Sequence, residues 1–424
     1  MKNDNTKKIS EKIFLIVSAL CFAFYSFTLV RLHIRQIGYP ETGLYESDLY
    51  AHIQMALNGW GYSLMAIVIR LLSKLPEFAF TFAVASLLCF FEAGAAALTF
   101  LILKQYKTET KLAIVFTACA TFAMPFYIRA IQPYRYIGYQ SGTIWHNSTY
   151  IAMKFFAIIV IMLFLLISEN YRERLSAGSV IAFAVLLSLT TAVKTNFVLI
   201  FAPAALLFLI ADAILGAPLK RIFFCALTVI PSIAVILFQK FVLFGEGTGN
   251  KIIIDPLYGV YLRAEKPYFT MILSAAFPIA VFLYNIIPVL KDTVKDFREK
   301  KRGLTHRFFL LSWTMWFVGF VQLILLREVG ERQLDDNFAW GYDFCLFVLF
   351  VVSIIYFARN ASSLLNIGIC DMSDKTDISD NKKVKFKGAG IAYSIAALAI
   401  LLYQVYCGVF FYIRLSQGLS FFMQ

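Results

Sequence analysis

The segment YESDLYAH, residues 45–52, brings together three ionisable side chains, Glu46, Asp48 and His52, directly after the first long apolar run. Carboxylate and imidazole groups are the side chains that most often exchange protons with a substrate. Asp48 and His52 are four residues apart, and a helix beginning here would place both on one face. The segment is therefore a candidate for acid–base chemistry. The alternative is that Glu46 and Asp48 only cap this helix.

The composition places this segment in a membrane protein. Hydrophobic residues make up 60% of the chain, charged residues only 15%, and the mean hydropathy is +0.72, whereas about a quarter of a soluble domain is charged. We predict an all-α fold, a polytopic transmembrane helical bundle of about eleven spans that forms one membrane domain over residues 1–424. Apolar runs near the required length of about 20 residues fall at 12–33, 79–103, 112–130, 148–168, 177–193, 196–215, 221–244, 268–290, 308–326, 339–358 and 388–413.

The distribution of Lys and Arg predicts the orientation of these spans. With a cytoplasmic N-terminus, the two most basic loops, KDTVKDFREKKRGLTHR and NKKVKFK, both face the cytoplasm, the second within a polar inner loop at 359–387. The net charge of +13 then reflects basic loops beside anionic lipid and gives no reason to expect a nucleic-acid partner. The first loop, 34–78, faces outward. Its apolar stretch GYSLMAIVIRLLSKLPE is too short to span and predicts an interfacial helix.

The cysteines give no sign of a metal site or a disulfide framework. The chain has seven of them, none forms a CxxC pair, and most lie inside apolar runs, which is typical of small buried hydrophobic residues. No cofactor is predicted, and a requirement for a divalent cation is left open.

The ESD motif at 46–48 resembles the acidic DxD or ExD signature that the glycosyltransferase C superfamily carries in its first outer loop. The multi-spanning layout and the long first loop with an interfacial helix are also similar to that superfamily. Its members take sugars from lipid-linked donors. The resemblance implies a polyprenyl-phosphate-linked sugar donor, a glycan, lipid or protein acceptor, and transfer on the extracytoplasmic face of a cell membrane. We expect a bacterial plasma membrane.

Sugar transfer to a hydroxyl requires a base that takes the acceptor proton while the anomeric carbon becomes cationic. We predict that Asp48 is this base and that Glu46 or His52 orients it or the acceptor. A carboxylate at the boundary between water and lipid can stay ionised there and still be reached by a lipid-borne donor.

The leaving phosphate calls for cationic partners on the same face. Segment 128–150 offers Arg129, Arg135, His146 and Asn147 among several Tyr and Trp residues. Arginine can hold a phosphate through two hydrogen bonds, and aromatic rings can stack on a sugar. Tyr and Trp also form belts at membrane interfaces, which is the alternative interpretation.

Two further outer segments complete the predicted site. Lys194 lies in TTAVKTN between two spans and either clamps the phosphate or extends its ammonium to the interface. Segment 327–343, REVGERQLDDNFAWGYD, contains Glu331, Arg332 and Trp340, which we predict contact the substrate as part of a lid. A solvated run of charges is the alternative.

Two other functions remain open at this stage. A polysaccharide polymerase or flippase component would also carry arginines in its outer loops. A secondary transporter would place ionisable groups near the middle of the membrane. Four ionisable residues fall within the predicted spans and are candidates for a functional role there: Glu92, Lys154, Asp212 and Asp343. Of these, Glu92 and Lys154 are candidates for a buried pair.

Overall fold

The computed structural model describes residues 2–39, 44–59, 61, 63–133, 141–142, 144–243, 251–299, 303–330, 337–365 and 387–419. These residues form sixteen α-helices: α1 (Lys2–Gly38), α2 (Leu49–Leu57), α3 (Leu64–Leu72), α4 (Glu77–Gln105), α5 (Thr110–Phe122), α6 (Ser148–Asn170), α7 (Ala177–Val193), α8 (Asn196–Ile214), α9 (Leu219–Leu227), α10 (Ile230–Phe238), α11 (Tyr258–Arg263), α12 (Pro267–Ser274), α13 (Ala276–Glu299), α14 (Leu304–Leu325), α15 (Asn337–Leu365) and α16 (Lys387–Ser416). The short strands β1 (Lys251–Ile254) and β2 (Leu326–Val329) pair antiparallel, with Lys251 opposite Val329.

The predicted all-α polytopic bundle is confirmed. Within the described ranges, nine helical stretches are long and apolar enough to cross a membrane: Ile9–Gly38, Glu77–Gln105, Ser148–Asn170, Asn196–Ile214, Leu219–Phe241, Ala276–Glu299, Leu304–Leu325, Asn337–Ser363 and Gly390–Ser416. Two shorter apolar helices, α5 and α7, fall at the remaining two predicted spans. Every apolar run of the sequence therefore has a helical counterpart.

One central helix organises the bundle. The side chains of α15 are buried along most of its length, and α5, α8, α13, α14 and α16 pack against it. The predicted inner loop at 359–387 begins later than expected, because α15 continues to Leu365. Residues 366–386 of that prediction lie outside the described residues.

The span predicted at 112–130 is shorter in the structure. Its helix, α5, ends at Phe122, because Pro125 lacks an N–H and disfavours helical backbone in the residue before it. The backbone that follows is irregular, and α16 satisfies it: the Met124 N–H donates to the Gln404 carbonyl and the Gln404 side-chain amide donates to the Met124 carbonyl, both at 3.1 Å. Irregular backbone at this depth is tolerated only where protein buries it.

The same glutamine supports a second interruption, in the span predicted at 268–290. The helix is broken at Ala275, between α12 and α13. The Gln404 amide donates to the Ser274 carbonyl at 3.0 Å and its oxygen accepts from the Phe277 N–H at 3.1 Å. Because Gln404 is 0% exposed, these bonds are shielded from water. One side chain of α16 thus joins two irregular points of the bundle.

Two short helices occupy the loop between α1 and α4, as the sequence predicts for its apolar stretch. α3 has 9 residues, about 13 Å of helix, against the roughly 30 Å of a bilayer core. Ser63 caps it by accepting from the Ala66 N–H at 3.2 Å. α2 packs on α3 through buried residues of both, including Ile53 and Ile69. This packing fixes the helix that follows the ESD motif.

A buried ion pair ties three helices together at the far end of α6. The Arg307 guanidinium on α14 lies 3.1 Å from the Asp212 carboxylate on α8, with the two side chains 1% and 0% exposed. The Tyr171 hydroxyl, at the C-terminus of α6, donates to the same carboxylate. α6 has 23 residues, about 34 Å of helix, and its other end carries the candidate site.

Candidate functional site

Asp48 occupies the position before α2, but its side chain does not cap that helix. The capping role falls to Ser47, whose hydroxyl accepts from the Leu49 N–H at 3.0 Å and donates to the His146 carbonyl at 2.8 Å. The Asp48 carboxylate instead accepts from the Asn147 side-chain amide, Nδ2 to Oδ2, at 2.8 Å. The alternative that Asp48 is only a helix cap therefore does not describe its side chain.

Asn147 is held in place by the helix it begins. Its Oδ1 accepts from the Tyr150 N–H at 2.9 Å and from the Thr149 hydroxyl at 2.8 Å, which is the geometry of a helix N-cap. With Oδ1 committed to two donors, the amide Nδ2 points to Asp48. The start of α6 thus orients the candidate base.

The residue before His146 anchors the same segment in the core. Trp145 is 0% exposed. Its indole N–H donates to the Tyr25 hydroxyl of α1 at 3.1 Å, and its ring centroid lies 5.0 Å from that of Tyr412 on α16. His146 and Asn147 therefore extend from a fixed point between α1 and α16.

Two imidazoles flank the carboxylate. His52, one turn after Asp48 on α2, has its Nδ1 2.8 Å from the Ser148 hydroxyl at the start of α6. The predicted shared face of Asp48 and His52 thus turns towards α6. The His146 ring lies 5.9 Å from the Trp340 ring, centroid to centroid.

Lys194 and Trp340 come from two further segments and meet beside these residues. Lys194 follows α7, and its Nζ donates to the Thr149 hydroxyl at 3.1 Å and lies 4.8 Å from the Trp340 ring centroid. Trp340, in the first turn of α15, also faces Tyr150 at 5.8 Å between ring centroids. The Lys194 ammonium therefore points into the site, which disfavours the alternative that it extends to the interface. We call the residues that converge here the Asp48 cluster: Asp48, His52, His146, Asn147, Lys194 and Trp340.

The cluster keeps Asp48 ionised. Burial raises the pKa of Asp48, but the charges of His146 and His52, the Asn147 hydrogen bond and the Lys194 ammonium together outweigh it and hold the pKa below its ordinary value. The carboxylate is thus negative at neutral pH.

The cluster combines a buried support with accessible chemistry. His146 and Asn147 are 5% and 3% exposed, whereas Asp48, Lys194 and Trp340 are half-buried. A ligand can therefore reach the carboxylate, the ammonium and the indole ring while the supporting residues stay fixed. Such an arrangement can accept a proton at Asp48 and bind an anion beside Lys194.

The other predicted site residues are distributed differently. Glu46 is half-buried two residues before Asp48, and Arg129 is exposed in a turn with no described contact to the cluster. Arg135, Glu331 and Arg332 lie outside the described residues, and their substrate contacts stay predictions.

Ser47, Ser148 and Thr149 take part in the site but were not among the predicted residues. Their signal lies in the sequence HNST ahead of an apolar run, because Asn before such a run is typical of a helix N-cap. Ser47 lies between the two acids of the ESD motif, and its capping role needed only the expectation of a helix at this point. The spacing of polar residues around helix starts would have found all three.

The described residues form no group of three or more His, Cys, Asp and Glu side chains that could hold a metal ion. Within the described residues, Asp48 accepts from the Asn147 amide, and the bonds beside it join His52 to Ser148 and Lys194 to Thr149. No protein-family model matches the chain, and no curated protein sequence matches it significantly.

Proposed function

We propose that the protein is a membrane glycosyltransferase that moves a sugar from a polyprenyl-phosphate-linked donor to an acceptor hydroxyl, with Asp48 as the general base. The observation that carries the proposal is the Asp48 cluster itself. An ionised carboxylate, oriented by Asn147, stands beside a lysine and a tryptophan that come from distant segments of the chain. Base, anion-binding and ring-stacking groups are the three that this transfer needs.

The proposed role of Asp48 as the base rests on its second carboxylate oxygen, Oδ1. Asn147 engages Oδ2 of Asp48, and Oδ1 has no hydrogen-bond partner within the described residues. An acceptor hydroxyl can approach Oδ1, form its bond to the anomeric carbon and release its proton to Asp48. The bond between that carbon and the phosphate oxygen breaks, and its electron pair leaves with the polyprenyl phosphate.

Lys194 supplies the charge that this leaving group requires. Its ammonium would face the donor phosphate as a point charge, and charge placed in advance beside a leaving group lowers the barrier. A bound phosphate also acts on Asp48, because a neighbouring negative charge disfavours the ionised carboxylate and raises its pKa. Donor binding would therefore make Asp48 a stronger base than it is in the free protein.

Trp340 offers the sugar a flat apolar face. His146 and Tyr150 pack around this ring at centroid distances of 5.9 and 5.8 Å, which restricts its rotation. A sugar stacked on Trp340 would place its anomeric carbon between the lysine and the carboxylate. We assign this stacking role to Trp340 alone, since the other ring residues serve as its support.

The proposed location of the reaction is the extracytoplasmic side of a bacterial plasma membrane, with the N-terminus in the cytoplasm. The cluster is built on the ends of helices: the start of α6, α8 and α15 and the end of α7 all converge there. Helix ends meet the boundary between lipid and water, where a lipid-borne donor and either a soluble or a lipid-borne acceptor can both reach one carboxylate.

The transporter alternative would draw on charges inside the spans. Glu92 on α4 and Lys154 on α6 are the closest candidates, and both are buried. The Lys154 ammonium, however, donates to a loop carbonyl of Gly142, which gives the charge a fixed partner within the protein. A polymerase or flippase component would use the cationic residues without needing a base at Asp48.

The test is transfer of labelled sugar from a panel of polyprenyl-phosphate sugars by purified protein in nanodiscs. The Asp48→Asn variant is compared with Glu173→Gln, an exposed carboxylate in the turn after α6, at the other end of the bundle. The parent and Glu173→Gln should transfer one of the sugars, and Asp48→Asn should be about 100-fold slower or worse, the usual contribution of a general base. Equal transfer by Asp48→Asn would remove the base assignment. Sugar-lipid translocation without transfer would favour the flippase alternative.

A further inference from the structure

A buried lysine near the candidate site is not used by the proposed chemistry. Lys154 lies in the second turn of α6, and only 7% of its surface is exposed. An ammonium inside a membrane span is costly unless it has a partner. Its Nζ donates to the Gly142 carbonyl at 3.1 Å and lies 3.8 Å from the Phe347 ring centroid on α15. The Lys154 ammonium thus binds the loop that precedes α6.

Two further hydrogen bonds fix the loop at Ser141 and Gly142. The Tyr150 hydroxyl donates to the Gly142 carbonyl at 3.2 Å. The Ser141 N–H donates to the Asp343 carboxylate at 3.1 Å, and Asp343 is 0% exposed on α15. Two consecutive loop residues are therefore fixed by a lysine and a tyrosine of α6 and an aspartate of α15.

The fit of this loop against α15 is close enough to require glycine. A Cβ on Gly142 would lie 2.7 Å from the Phe347 backbone nitrogen and 2.9 Å from its Cα. Side-chain atoms do not approach backbone this closely, and the helix backbone cannot move aside. The position of residues 141–142 is accordingly defined by direct backbone packing as well as by the three hydrogen bonds.

The competing role for Lys154 is a pair with Glu92. α4 packs on α6, and the two charges are near enough to interact electrostatically. The Glu92 carboxylate is buried, yet its Oε1 has no hydrogen-bond partner within the described part of the chain. No direct ion pair joins the two residues in that part, so the hydrogen bond of Lys154 belongs to Gly142.

We propose that Lys154 is a positioning residue for the Asp48 cluster. It fixes the loop at Gly142, and this loop leads within five residues to Asn147, which orients the Asp48 carboxylate. The inference rests on the proposed function for its catalytic consequence. Its structural part, that Lys154 sets the position of the loop, stands independently.

The first measurement is hydrogen exchange on Lys154→Met, which keeps an unbranched side chain but removes the ammonium. Peptides covering 141–147 should exchange at least fivefold faster than in the parent, with α8 and α14 unchanged. Glu92→Gln is the matched control, and it should leave the exchange of the loop unaltered. If Lys154→Met does not fold, Tyr150→Phe removes only the second donor to Gly142 and should raise exchange in the same peptides, by a smaller factor. Unchanged exchange in the folded variant would overturn the proposal, as would an equal effect of Glu92→Gln.

The second measurement is a double-mutant cycle on the rate of sugar transfer. Lys154→Met should slow transfer about tenfold in the parent but less than twofold when Asn147 is already alanine, because the lysine acts through Asn147. A purely structural role would slow both backgrounds equally, and that result would contradict positioning. A parent without transferase activity would refute the proposed function, while the hydrogen-exchange result would still decide the role of Lys154 in the loop.

Discussion

The two ends of the bundle handle charge in opposite ways. At one end, Arg307 and Asp212 are 1% and 0% exposed and pair directly with each other. At the other end, Asp48 is half-buried, and its hydrogen bond is to the neutral amide of Asn147. A buried charge is tolerated only when it is paired. A half-buried charge is partly solvated by water and remains accessible to a ligand. The first arrangement encloses both charges within the protein, whereas the second leaves a carboxylate that a ligand can reach.

Local packing reinforces this difference. The Tyr171 hydroxyl adds a donor to the Asp212 carboxylate, and the Arg221 guanidinium donates to the Tyr171 carbonyl at 2.8 Å. Because Arg307 and Asp212 are almost completely buried, a substrate cannot reach them. In the Asp48 cluster, by contrast, the carboxylate and the Lys194 ammonium belong to half-buried side chains that a ligand can reach.

The largest expected effect is the loss of stability when the ion pair between Arg307 and Asp212 is removed. Asp212→Asn removes the carboxylate charge that pairs with the buried Arg307 guanidinium, and we expect the free energy of unfolding to fall by about 3–5 kcal/mol. Chemical denaturation in detergent micelles measures this loss. The control is Glu173→Gln, an exposed carboxylate at the same end, which should change stability by less than about 0.5 kcal/mol. If both variants are equally stable, the paired end is not a structural anchor.

A smaller effect is expected from removing the proposed phosphate partner. Lys194→Met keeps the packing of the stem against Trp340 but loses the ammonium, and the donor KM should rise about tenfold, or about 1.4 kcal/mol of binding free energy. Lys74→Met, an exposed lysine after α3, is the matched control and should leave KM unaltered. Equal KM values for the two variants would show that Lys194 does not meet the donor.

The smallest effect concerns pH. The pKa of Asp48 lies below its ordinary value. The acidic limb of the pH profile of kcat/KM reports the free protein, and its midpoint should therefore lie at a lower pH than the ordinary pKa of an aspartate. The limb of kcat should lie at higher pH, since a bound phosphate raises the pKa. The reverse order of the two limbs would show that the donor phosphate does not bind near Asp48.

The same pKa also has a consequence for stability. A pKa lowered by folding means that ionised Asp48 stabilises the protein above its unfolded pKa, and that this contribution is lost as the pH falls through the folded value. The gap in unfolding temperature between the parent and Asp48→Asn should therefore narrow on acidification. A gap that widens would contradict the direction of the pKa shift.

The fold could be predicted from the sequence because its signal is local. Each apolar run has a helical counterpart, in two cases divided between consecutive helices, and the misjudged end of α5 is explained by Pro125, a signal already present in the chain. The break at Ala275 was not predicted, because its support is the distant Gln404. Long-range side-chain partners leave no periodic pattern in a single sequence.

Several positions that meet in the candidate site could also be predicted, whereas their roles in catalysis stay predictions. The spacing of Asp48 and His52 and the position of Lys194 between two spans marked these residues before their neighbours were known. Arg129 was predicted to bind phosphate because of its residue type, yet its side chain is exposed and has no described contact to the cluster. The predicted proximity of Glu92 and Lys154 is found, but the hydrogen bond of Lys154 to the Gly142 carbonyl was not predicted, because a loop carbonyl leaves no signal in the sequence.

The most direct test of the account is the single-turnover rate of sugar transfer at saturating donor, measured on the parent and on Asp48→Asn with equal amounts of folded protein. Saturating donor separates the chemical step from binding. If Asp48 is the base, the variant should be slower by about 100-fold or more while its donor KM changes little. A single-turnover rate within about threefold of the parent would contradict the account, because the ionised carboxylate would then take no part in the reaction.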